Sequence, residues 1–238
     1  RKTLLLLGGS RQQCIAIERA KELGFRTVLC DYLPDNPGQQ SADVFYLQST
    51  TDRDGVLTVA QKENIDGILA YASDPAAPTA AFVAEKLGLP TNPLRSVEIL
   101  SFKNRFREHL ARVGLPCPKA LSFPATLPVD EVRKALSGLS FPIVIKPTDS
   151  SGSKGVTVLF DESRIEQALC DARHFSRNGI LIAETYIEKE FSYMIGGDVF
   201  VVDGKVAFDG LMRCMRDPKC PLVPMGEIFP SGLTTPQH

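Results

Sequence analysis

The chain has 238 residues, 43% of them hydrophobic and 23% charged, the composition of an ordinary globular protein. Lys plus Arg number 27 against 28 for Asp plus Glu, so the charge balance offers nothing to nucleic acid or to an anionic membrane surface. Six scattered cysteines (Cys14, Cys30, Cys117, Cys170, Cys214 and Cys220) form no Cys-x-x-Cys pair and meet only three histidines, which excludes a zinc spacing and predicts reduced thiols in a cytoplasmic protein.

In chain order, an apolar run over 2–7 predicts a buried strand; it stops at Gly8-Gly9-Ser10, too early for a signal-peptide core. No stretch has the length of a membrane span. Ile15, Ile17, Ala20 and Leu23 mark a helix that Gly24 stops. Strands over 26–31, 42–47 and 67–71 alternate with helices over 54–64 and 78–87, the second closed by Gly88. The βαβ alternation predicts an α/β fold with a parallel, doubly wound sheet.

Residues 92–114 read as two helical segments meeting near Leu100 and Ser101, and prolines at 116, 118, 124 and 128 then mark a break. Beyond it the pattern predicts a helix over 129–139, strands over 141–146 and 155–160, a helix over 162–175 and a strand over 179–185. A hairpin follows, with arms over 191–202 and 205–214 around Asp203-Gly204. Prolines at 218, 221, 224, 230 and 236 predict loop for the remainder. The chain starts without Met and runs out at His238 without a closing element, so it reads as a fragment.

Three segments carry chemistry. The strand over 141–146 ends in Lys146 and gives way to a loop over 149–156 that contains Ser150, Ser151, Gly152, Ser153, Gly155 and Val156. Small residues let backbone N–H groups turn onto phosphate oxygens, while the serines add donors and Lys146 a point charge. By composition alone the segment reads equally well as an exposed hairpin loop, and it is neither a Walker sequence nor a dinucleotide fingerprint. The strand over 179–185 ends in Glu184, with Thr185, Tyr186 and Ile187 behind it and Glu190 further on. These carboxylates suit an adenine amino group and ribose hydroxyls, or else lie on the surface. Lys103 opens a helix that continues with Phe106 and Leu110. A helix N-terminus favours phosphate, although a solvated amphipathic helix has the same pattern.

The order of these segments resembles the ATP-grasp superfamily, in the branch with biotin carboxylase, carbamoyl-phosphate synthetase and the purine-pathway carboxylate ligases. The resemblance implies an α/β domain over 1–92, a helical connector over 93–115, a lid over 116–183 and the start of a C-terminal lobe over 184–238. It implies ATP, held by Lys103 and Lys146 on the phosphates, by Ser150, Ser151, Gly152, Ser153, Gly155 and Val156 as a mobile cover, by Glu184, Thr185, Tyr186 and Ile187 as the adenine hinge, and by Glu190 on ribose. Arg213 becomes a catalytic candidate facing the γ-phosphate or an acyl phosphate, with Arg216 in competition and a surface arginine as the plain alternative. The implied activity is ligation of a small-molecule carboxylate to an amine, or to a thiol, through an acyl phosphate. Neither nucleic acid nor a membrane is implied as a partner, and a homodimer is left open. Mg²⁺ is implied with its ligands beyond residue 238, so none is assigned here and the fragment is expected to be inactive.

A competing reading uses Gly8, Gly9 and Asp31 as a nicotinamide dinucleotide site of an oxidoreductase, although Gln13 stands where the third glycine belongs. The resemblance instead gives this crevice to the acceptor substrate, with Ser10, Arg11 and Asp74 as candidates and a helix N-cap as the plainer role of Asp74. A third reading is a non-catalytic nucleotide-binding module.

Overall fold

The computed structural model describes residues 1–188, 193–218 and 224–234. The chain forms two compact units, Arg1–Thr185 and Tyr186–His238.

The first unit opens with a parallel sheet. Its strands are β1 (Thr3–Leu7), β2 (Arg26–Asp31), β3 (Val44–Leu47) and β4 (Gly67–Leu69), in the spatial order β3-β2-β1-β4. Interleaved are α1 (Cys14–Glu22), the single-turn α2 (Gly38–Ser41), α3 (Arg53–Lys62) and α4 (Ala77–Leu87). Alternation along β1 divides the core. Leu6 joins Ile17 of α1 and Leu29 on one face, while Leu5 and Leu7 join Val56, Ala60 and Val83 of α3 and α4 on the other. Helices on both faces make the sheet doubly wound, as the element order predicts. Gly88, at φ 66°, closes α4 in the left-handed conformation that a glycine adopts without a Cβ clash.

Helices α5 (Leu94–Ser101) and α6 (Lys103–Arg112) follow, joined at Phe102. They lead to an antiparallel sheet of β5 (Ala120–Pro124), β6 (Ile143–Pro147), β7 (Thr157–Leu159) and β8 (Ile180–Thr185), ordered β5-β8-β6-β7. Helices α7 (Val129–Leu136) and α8 (Ile165–Phe175) cover one face, where Ile143, Ile145, Leu181 and Ala183 pack with Val132, Leu136, Ile165 and Leu169.

In the second unit, β9 (Met194–Val202), β10 (Lys205–Arg216) and β11 (Pro224–Ile228) form an antiparallel sheet with β10 central. Two strands differ from the sequence reading. β5 lies in the proline-rich break and β11 in the expected terminal loop. Both are edge strands, where a proline costs no ladder hydrogen bond if its nitrogen faces outward, so prolines there do not exclude a strand. Cys14, Cys30, Cys117, Cys170 and Cys214 are free thiols, and Cys220 lies outside the described residues. No helix among the described residues is long and apolar enough to cross a membrane.

Candidate functional site

On the antiparallel sheet of β5, β6, β7 and β8, the residues between those buried under α7 and α8 face the opposite way. Lys146 pairs in register with Ile182 and Val144 with Glu184, so Lys146 and Glu184 are diagonal neighbours on the uncovered face. The Lys146 ammonium donates to Glu184 Oε1. Arg107 of α6 takes the same carboxylate from the other side, Nε to Oε2 at 2.9 Å and Nη2 to Oε1 at 3.4 Å. The three side chains are 13%, 7% and 21% exposed for Lys146, Glu184 and Arg107. Burial pushes the Glu184 carboxyl upward, but the bonds and charges of Arg107 and Lys146 outweigh it, and the group stays ionised below the usual carboxylate range. Arg107 was missed by sequence reasoning. Its one visible signal is that it stands one helical turn after Lys103, which puts both cations on the same face of α6.

Lys103, the first residue of α6, is bound twice to the chain that follows Lys146. Its backbone N–H donates to Thr148 O at 3.0 Å, and its ammonium to Ser150 O at 2.5 Å. Burial and the neighbouring Lys146 charge lower the Lys103 pKa, opposed by Asp149, Glu184 and Asp74. The two lysines, 43 residues apart in sequence by their numbering, therefore share one electrostatic environment.

The loop between Lys146 and β7 turns through left-handed conformations at Gly152 (φ 65°), Ser153 (φ 58°) and Gly155 (φ 69°). A Cβ on Gly155 would come within 3.1 Å of Asp171 O and 3.2 Å of Ala172 Cα, so glycine is needed there for close seating on α8 as well as for its φ. The loop forms one wall of a cleft of about 780 Å³. Lys103, Lys146, Ser150, Ser151, Gly152, Ser153 and Val156 line it, opposite Arg53, Asp74 and Thr79 from the N-terminal α/β layer and Arg177 and Asn178 from the turn before β8. Asp74 is not a helix cap: the N-cap of α4 is Ala76, without a side-chain bond, and Asp74 opens onto the cleft.

The remaining sequence candidates lie elsewhere. The Thr185 N–H is already bound to Lys119 O at 2.9 Å. Tyr186 and Ile187 begin the second unit, Tyr186 half-buried and Ile187 exposed. Glu190 lies outside the described residues. Arg213, in the second unit, stacks on Tyr193 at 4.2 Å and donates to Ser231 O from Nε and Nη2, at 3.4 and 3.3 Å. Arg216 ends β10, beside an irregularity in its pairing with β11. Ser10 donates to Gln13 Oε1 at 2.8 Å, and neither it nor Arg11 is among the cleft-lining residues.

The dinucleotide reading finds its crevice already filled. Asp31 is buried, with one oxygen accepting from Gly9 N at 2.7 Å and the other from Leu33 N at 2.9 Å. Side-chain atoms of Gln13 and Asn36 sit within 2.3 and 2.0 Å of where Cβ atoms of Gly8 and Gly9 would be. These glycines admit protein side chains, in the space where a pyrophosphate would approach. Among the described residues, no group of three or more His, Cys, Asp or Glu is gathered to hold a metal ion, so Mg²⁺ is given no residues here.

Residues 103–196 match the family described as carbamoyl-phosphate synthase L chain, ATP binding domain. The formate-dependent phosphoribosylglycinamide formyltransferase of Sulfolobus acidocaldarius is 29% identical over 199 residues, covering 81% of this chain and 49% of that protein. The chain thus spans about half the length of the curated relatives it matches first. Among solved structures, the N5-carboxyaminoimidazole synthetase of Staphylococcus aureus complexed with ADP superposes with a TM-score of 0.75 at 17% identity, over 98% of this chain and 59% of that one. The biotin carboxylase domain dimer of the Hydrogenobacter thermophilus 2-oxoglutarate carboxylase, in complex with MgADP, ADP and bicarbonate, gives 0.61 at 21% identity, over 79% and 44%. None of the comparisons supports the oxidoreductase.

Proposed function

We propose, from the premise that the chain belongs to the ATP-grasp superfamily, that its first compact unit holds ATP in the cleft and serves a ligase joining a carboxylate to an amine. The observation that carries this reading is the convergence of Lys103, Lys146 and the small-residue loop on one cleft. In the proposed reaction the carboxylate attacks the γ-phosphorus of ATP and releases ADP. The amine then attacks the acyl carbon of the resulting acyl phosphate and displaces phosphate. Mg²⁺, when bound, would neutralise charge on the β- and γ-oxygens. The chain's own residues position and neutralise: Lys103 and Lys146 meet phosphate oxygens, and the loop N–H groups cover them and exclude water.

Because Glu184 is already shared between Lys146 and Arg107, its proposed part is to orient Lys146. The proposed roles of the Tyr186 and Ile187 backbone on adenine, of Glu190 on ribose and of Arg213 on the transferred phosphoryl group are assigned to the second unit by itself. Domain limits follow the same proposal: an α/β domain over 1–92, a connector over 93–115, a lid over 116–183 and a further lobe from 184. The partners are small-molecule substrates, and assembly as a homodimer, in the cytoplasm, belongs to the proposal too.

Thermal melting tests the reading. ATP–Mg²⁺ at a hundred times its Kd stabilises the native protein by about 2.7 kcal/mol, whereas NADH leaves the midpoint unchanged. Stabilisation by NADH alone would reverse the assignment. Binding of ATP by the full-length protein without ADP release, across a screen of amino acids and other carboxylates, would reduce it to a non-catalytic module.

The lowered pKa of Lys103 adds a pH signature. Burial and Lys146 disfavour its charge, so in the ligand-free protein it loses its proton at a lower pH than an ordinary lysine. Polyphosphate binds the protonated form, and ATP affinity therefore falls as pH rises through that lowered value. Lys103→Arg, which stays charged throughout, keeps its affinity over the same range. Calorimetric titrations across the alkaline range check this, and a wild-type profile flat to about pH 10 would contradict it.

A further inference from the structure

The phosphate loop is held at its base by a carboxylate, Asp149, which lies at the cleft wall and is taken up by backbone donors. The Asp149 side chain is only 6% exposed. Its Oδ2 accepts the backbone N–H of Asn178 at 2.7 Å and that of Arg177 at 3.1 Å, and Oδ1 accepts the Arg177 N–H again at 3.3 Å. The Arg177 guanidinium reaches back to Asp149 O. One residue earlier, Thr148 exchanges hydrogen bonds with the Asn178 side chain at 2.8 and 3.2 Å and donates its N–H to Ile180 O at 3.1 Å. One residue later, Ser150 O is taken by Lys103. The far end is fixed as well, since Gly155 is buried against α8. Between these anchorages residues 151–154 are exposed, and Ser150 Oγ donates to Lys154 O at 2.9 Å.

We propose that Asp149 is a positioning residue: it pins the base of the loop to the 177–178 turn, so that only residues 151–154 swing over the polyphosphate while residues 148–150 stay registered with Lys103. This deepens the nucleotide-cleft reading and rests on it. A fixed base matters because a loop that must order all its residues on binding loses affinity to the entropy of each one ordered. Asp149 thus sets how well ATP is held through the loop it anchors. The loop covers only the phosphates, so the effect falls on ATP and leaves a nucleotide lacking the β- and γ-phosphates unaffected.

Asp149→Ala and Asp149→Asn separate this from general damage. Amide hydrogen exchange is followed over residues 148–156 in ligand-free protein, and ATP and AMP affinities are measured by calorimetry. In Asp149→Ala, exchange over 148–156 accelerates, ATP affinity falls about tenfold and AMP affinity stays put. Asp149→Asn, which keeps an acceptor oxygen for the two N–H groups but loses the charge, falls between wild type and Ala. Unchanged exchange with unchanged ATP affinity in both variants would overturn the proposal, as would an equal loss for ATP and AMP. If wild-type protein binds no ATP, the cleft reading fails. The exchange comparison, which needs no ligand, still decides whether Asp149 pins the loop.

Discussion

Replacing Lys146 with Met or Ala weakens ATP binding by about ten- to a hundredfold and, in the full-length enzyme, removes turnover. A charge-assisted hydrogen bond contributes roughly 1.5–3 kcal/mol, which converts to that range at tenfold per 1.4 kcal/mol. The fold survives the change, because Glu184 keeps its two bonds to Arg107 when the lysine goes. Met is the sharper variant, since it retains most of the aliphatic stem and removes only the ammonium. Calorimetry with ATP–Mg²⁺ and an ADP-release assay read the two effects, and the melting midpoint serves as the control. Near-normal turnover in either variant would remove Lys146 from the phosphate site.

Glu184→Ala acts mainly on stability. It leaves the Lys146 ammonium and the Arg107 guanidinium facing each other without the carboxylate between them, in surroundings where they are 13% and 21% exposed. Removing one partner of a buried ionic group costs about 3–5 kcal/mol, because the remaining charges stay desolvated and uncompensated. For a unit of this size that lowers the melting midpoint by roughly 10 °C. Adding Lys146→Met to Glu184→Ala returns part of the loss, since one stranded charge disappears with it, and a double-mutant cycle measures the coupling.

Acid reproduces the defect in the wild type. The Glu184 carboxyl titrates below its unfolded range near 4.5, so its contribution is complete above that range and drains away as pH falls through the lower folded value. The acid limb of the Glu184→Ala stability profile is correspondingly shallower. A variant that melts with the wild type would show that the Lys146–Glu184–Arg107 group contributes nothing.

Much of the fold was legible because buried strands and amphipathic helices write their periods into the chain. The runs at β1 and β2, and the glycine that ends α4, need no tertiary information to be read. β5 and β11 escaped because their prolines argue for loop. Only the sheet order shows that both are edges, where a proline is tolerated. Among site residues, Lys103, Lys146 and the Gly/Ser loop stand out in sequence as residue types suited to phosphate. Arg107 did not, since a basic residue on a polar helix looks solvated until a carboxylate 77 positions away is brought against it.

The sequence by itself determined the alternation of elements and the local chemistry of each segment, because periodicity, turn residues and side-chain type are properties of neighbours along the chain. Tertiary structure decided which polar groups are already spent. Asp31 is closed on Gly9 and Leu33, Glu184 on Lys146 and Arg107, and Asp149 on the turn before β8, whereas Asp74 opens onto the cleft instead of capping a helix. The reason is physical. A buried carboxylate must find donors wherever the fold supplies them, and those donors come from strands, turns and helices far along the chain, whose approach no local pattern encodes.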